Sequence, residues 1–135
     1  MAEGNYNQKQ IPEKMRKIMM DDGSWEWSER FYMGIDTEQN DKTDRILSCA
    51  VEYIFLHFKE IQKLIFPETF MDYYFIEKHT VDYETVVNNL KLDTITIDDN
   101  NEIITVLCSS DEVMFGHFVE GEFTYQYEFV GSYIC

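Results

Sequence analysis

A chain of 135 residues is long enough for one domain with its own core, and 44% hydrophobic with 16% aromatic residues excludes a disordered chain. Twenty-six acidic side chains against eleven basic ones leave a formal charge of −15. Such a surface repels phosphate backbones and anionic lipid headgroups, so no nucleic-acid and no membrane binding is expected, whereas a basic protein partner is attracted.

Residues 1–10 are polar and read as a frayed, disordered start without the apolar stretch of a signal peptide. A short helix is expected from Pro12 to Met20, with Ile11, Met15, Ile18 and Met19 on one side. Trp25 to Ile35 alternates with period two and predicts a strand, with Tyr32 on its polar side. Asp41 or Thr43 is positioned to cap a helix. Its stripe runs through Ile46, Leu47, Ala50, Val51, Ile54, Phe58, Ile61 and Ile65, about 22 residues in all, and Pro67 ends it. A second helix is expected from Pro67 to about Lys78. A third, capped by Thr80, carries Tyr83, Val86, Val87 and Leu90.

From Leu92 the pattern becomes that of strands. Leu92 to Ile97 and Ile103 to Cys108 flank a turn at Asp98-Asp99-Asn100-Asn101. Ser109-Ser110-Asp111 turns the chain into a strand from Val113 to Val119, and Glu120-Gly121 turns it again. The last strand sets Phe123, Tyr125, Tyr127 and Phe129 against Glu122, Thr124, Gln126 and Glu128, with Gly131 closing it. The expected architecture is a single α+β domain over 1–135. Its antiparallel sheet has about five strands, one N-terminal strand plus a C-terminal four-strand meander, packed against one long and two shorter helices.

No catalytic signature accompanies this pattern. His57, His79 and His117 lie on three separate elements without a local pair, so no metal site and no cofactor is expected. A turn centred between Ser110 and Asp111 would set His117 opposite Ile104, away from Cys108, and so separate the one Cys-His pair to consider. Cys49, Cys108 and Cys135 have no disulfide spacing and read as reduced thiols. No segment has the roughly 20 apolar residues of a membrane span, and a cytoplasmic location is expected. Tyrosines beside carboxylates can form a protein-binding surface, which makes Tyr32, Tyr53, Tyr73, Glu122 and Glu128 the candidate partner-binding residues. The competing reading is that the tyrosines complete an aromatic core and the carboxylates form a solvated face.

Thr80-Val81-Asp82-Tyr83-Glu84, the run Leu90 to Ile97, Met114-Phe115-Gly116-His117 and Gly131 form an ordered series. Over residues 80–131 it resembles an uncharacterised bacterial domain-of-unknown-function family with a Phe-Gly-His strand and a closing glycine; the family's tryptophan is missing here, and Asn100-Asn101 replaces its Gly-containing turn. The resemblance implies no established activity, but small acidic proteins of this type resemble the immunity proteins that accompany bacterial toxins. It marks Phe115, Gly116, His117 and Gly131 as motif residues, with Gly116 permitting a bulge and His117 bonding across the sheet. Charge and missing catalytic motifs thus favour a non-catalytic module that masks a basic partner. A small enzyme using His117 with nearby carboxylates and a self-associating accessory domain are the alternatives.

Overall fold

The computed structural model describes residues 7–8, 27–72, 82–110 and 117–135. The expected helix at 12–20, the strand's first two residues at 25–26, Tyr73, Thr80, Phe115 and Gly116 lie outside them. The fold is α+β. Strands β1 (Asn7–Gln8), β2 (Trp27–Ile35), β3 (Lys91–Asp98), β4 (Ile103–Ser109), β5 (Phe118–Thr124) and β6 (Phe129–Ile134) follow one another across the sheet in chain order. Helices α1 (Asp41–Leu56) and α2 (Phe58–Ile65), a 3-10 turn (Glu68–Asp72) and α3 (Tyr83–Asn88) fall between β2 and β3.

The sheet is mostly antiparallel, with one exception. β2 pairs with β3 in parallel, because the helices carry the chain back across the sheet before β3 begins, the crossover that a parallel pair requires. Asn7 and Gln8, expected to be frayed, pair antiparallel with Met33 and Tyr32 as a two-residue edge strand.

The apolar stripe from Ile46 to Ile65 forms two helices rather than one. The chain bends at His57 (φ −118°), although its N–H still donates to the Tyr53 carbonyl at 3.0 Å. No proline or glycine stands there, so the cause is tertiary. α1 packs on β2 and β3, while α2 packs on β5 and β6, and the bend lets one stripe follow a twisted sheet. Ala50, Val51, Ile54, Phe55, Phe58, Ile61 and Ile65 are all buried along it, each large side chain contributing about 1.5–3 kcal/mol. Asn40, not Asp41 or Thr43, is the N-cap: its side chain accepts from the Thr43 N–H (3.0 Å), and Thr43 Oγ1 accepts from the Asn40 N–H (2.8 Å). Buried Gln62 donates to the Leu90 carbonyl at 2.9 Å and ties α2 to the start of β3. Asp82 caps α3 where Thr80 was expected; its carboxylate accepts from the Thr85 N–H at 2.8 Å, and hydrogen bonding from the Thr85 side chain, then from this N–H, lowers its pKa.

The meander's second half departs from the alternation reading. Glu120-Gly121 is not a turn but the middle of β5, where Gly121 faces α2. The turn falls instead at 125–128, between β5 and β6. Thr124 organises it, its Oγ1 accepting from the N–H groups of Gln126 and Glu128, both at 3.2 Å. Gly131, expected to close the last strand, lies within β6.

Candidate functional site

The helices cover one face of the sheet, which buries Ile104, Val106, Cys108, Val119, Gly121 and Phe123. Residues of opposite parity form the other face. One row of Cα partners across it reads Tyr32, Thr94, Leu107, Glu120, Tyr133; the next reads Gly34, Thr96, Thr105, Glu122, Gly131. The register thus brings the Tyr32 position, Glu122 and Gly131, all marked in the sequence, into two adjacent rows. It adds Glu120 and Tyr133, which sequence reasoning had not selected as partner residues. The Tyr133 hydroxyl donates to the Glu120 carboxylate, and that bond pushes the tyrosine pKa up to about 12.

The remaining candidates gather at one end of β6. Tyr53 on α1 stacks on Tyr127 of the β5–β6 turn, with ring centroids 4.0 Å apart and planes 4° from parallel. His57 lies against the same Tyr53 ring at 4.4 Å, and Glu128 follows Tyr127 with its side chain exposed. Tyr127 holds a left-handed backbone (φ 65°), uncommon for an aromatic residue. Burial, then nearby Cys49, Tyr53 and Glu52, raise its pKa. Tyr125, expected on the same strand face, points elsewhere: its hydroxyl donates to Asp99 (2.9 Å), which also meets Lys42 (3.4 Å).

Among the described residues the large exposed hydrophobics are Leu56, Leu64, Phe129, Val130 and Tyr133. They lie on the last residue of α1, on α2 and on β6, and α2 packs against β6. Val130 is 57% exposed and sits at the β5–β6 register shift, which makes it the bulged residue of an edge strand.

His117 is half-buried immediately before β5. Its expected place opposite Ile104 is wrong, because Phe118 pairs with Ser109 and Phe123 takes the position opposite Ile104. His117 therefore lies just ahead of the strand, beyond the Phe118–Ser109 pair, instead of deep within it. Cys108 is fully buried, and burial, then Asp93, push its thiol pKa far up, so it is no nucleophile at neutral pH. Among the described residues no group of His, Cys, Asp and Glu is arranged to hold a metal, and no helix is long and apolar enough to cross a membrane.

The charge of the chain is partitioned along it. Residues 92–135 contain nine Asp or Glu and not one Lys or Arg; every basic side chain stands at or before Lys91. β4, β5 and β6, with all of β3 beyond its first residue, Lys91, are therefore built without Lys or Arg, and Glu120 and Glu122 place two half-buried carboxylates on the face turned away from the helices. This partition was present in the sequence as the position of the last lysine. No family model matches the chain, and neither does any curated protein or solved structure.

Proposed function

We propose that the chain is a non-catalytic, acidic protein-binding module whose partner is a basic protein, in the manner of an immunity protein that masks a basic target. The observation that carries this reading is the cation-free meander. Two adjacent half-buried carboxylates on the sheet face turned away from the helices, bordered by an edge strand with exposed Phe129, Val130 and Tyr133, combine attraction with contact area. The Tyr53–Tyr127 stack adds a rigid aromatic surface at the end of that strand. A cytoplasmic location and the resemblance over residues 80–131 belong to the same reading.

The test is a tagged pull-down from lysate of the native cell at about 50 and about 200 mM salt, read by mass spectrometry. A stoichiometric basic protein, retained at low salt and diminished at high salt, supports the reading. Recovery of the chain alone at both salts overturns it.

A further inference from the structure

The two edges of the sheet differ. β1 is two residues long, whereas β6 is a six-residue strand, and among the described residues no strand lies outside it. Its outward groups follow from the ladder. Phe118 and Cys135 exchange both backbone bonds, at 3.0 and 2.8 Å. Antiparallel pairing alternates, so the Glu120–Tyr133 pair is bonded in the same way, and the N–H and C=O of Ser132 and Ile134 point away from β5. An edge of this kind is a template for one more strand.

We propose that β6 accepts an extended segment of the basic partner as a seventh strand, with lysine or arginine at alternate positions; this rests on the reading that the partner is basic. Charge selects that occupant over a second copy of the chain, since each copy carries −15 and would bring its own Glu120 and Glu122 to the seam. Gly131 supplies the register. It separates the free edge from Glu122 in one row, and a Cβ built on it would meet nothing within 4 Å. A cationic side chain on the added strand, two strand spacings or about 9.6 Å from β5, can reach over that gap to Glu122. In the neighbouring row the corresponding side chain meets the Tyr133–Glu120 pair. Its alternate residues then face the α2 side, where Leu64 is exposed, and suit apolar side chains.

The probe is a nine-residue peptide alternating lysine with valine, titrated into the full chain at low salt. Two readouts decide. Amide hydrogen exchange at Ser132 and Ile134 is expected to slow at least about tenfold at saturating peptide, because bonded amides are protected. Ser132→Pro removes one outward N–H without touching the β5 ladder, and is expected to weaken the peptide at least about tenfold. Circular dichroism and a thermal melt establish that the variant is folded; if it is not, the exchange rates on the native chain decide alone. Unchanged exchange at both amides, equal affinity for a folded Ser132→Pro variant, or no binding of the peptide overturns the proposal. A basic partner captured from lysate alongside any of those results would leave the charge reading standing and remove only the strand addition.

Discussion

Gly121 stands directly beneath Ile65: a Cβ on the glycine would lie 2.1 Å from Ile65 Cγ2 and 3.0 Å from its Cβ. Ile65 is fully buried and branched close to its backbone, so it has nowhere to move. Gly121→Ala is therefore expected to destabilise the fold by about 1–3 kcal/mol, the usual cost of overpacking. Gly131→Ala, with open space around it, is expected to change stability by about 0.5 kcal/mol or less. Urea unfolding of the two variants checks this, and equal losses would refute the contact.

That relationship explains where the sequence was misleading. Glu120-Gly121 has the composition of a turn, but its glycine serves the approach of α2. The true turn, Tyr125-Gln126-Tyr127-Glu128, contains no glycine, proline or asparagine. Its left-handed residue is held by a ring on α1, support that no local pattern records. The α+β class, the β3–β4 hairpin and the inward stripe were legible because period and turn composition agreed with the final packing. The bend at His57 was not, since an unbroken stripe looks the same whether the sheet beneath it is flat or twisted. The candidate face was half legible: Glu122 was selected as a carboxylate, yet placing it beside Glu120 needed β5 to run through Gly121, and only the register sets Tyr133 opposite Glu120.

Tyr127 offers a test of strain against stacking. Replacing it with alanine loses the Tyr53 ring contact and keeps the left-handed backbone, so Tyr127→Ala is expected to cost about 1–2 kcal/mol. Tyr127→Gly loses the same contact but relieves the backbone, and should be the more stable of the two by about 1 kcal/mol. Denaturant midpoints give the order; alanine above glycine would mean that φ at this position is not left-handed in solution.

Cys108 ties stability to alkaline pH. Its folded pKa is raised well above the ordinary 9.0, so the folded chain holds a proton that the unfolded chain releases. The stability linked to it is complete below about pH 8.5 and is lost as pH rises from there towards the folded pKa. Above the unfolded pKa the loss approaches about 1.4 kcal/mol per pH unit. Cys108→Ala starts lower, because it opens a small cavity, but lacks this slope. Its stability curve should converge on that of the parent between about pH 9 and pH 11, whereas parallel curves would place the thiol in water. Tyr133 adds a later decline, complete below about pH 10 and exhausted as pH passes its folded value of about 12.

The last prediction concerns location against quantity of charge. Glu120→Gln with Glu122→Gln removes two charges from the face turned away from the helices, and glutamine can still accept the Tyr133 hydroxyl bond. Each partly exposed pair with a cationic partner is worth about 0.2–1 kcal/mol, so the double variant should bind the lysine–valine peptide roughly 2- to 30-fold more weakly. Glu68→Gln with Glu84→Gln removes as much charge from the 3-10 turn and α3, where both side chains are exposed. That control should shift affinity less than about twofold at moderate salt, because screening limits exposed charges to about 10 Å at 0.1 M. Titration calorimetry at two salt concentrations separates the cases. Equal weakening by both double variants would mean that the peptide senses net charge alone, and the helix-free face of β5 and β6 would lose its claim to be the binding surface.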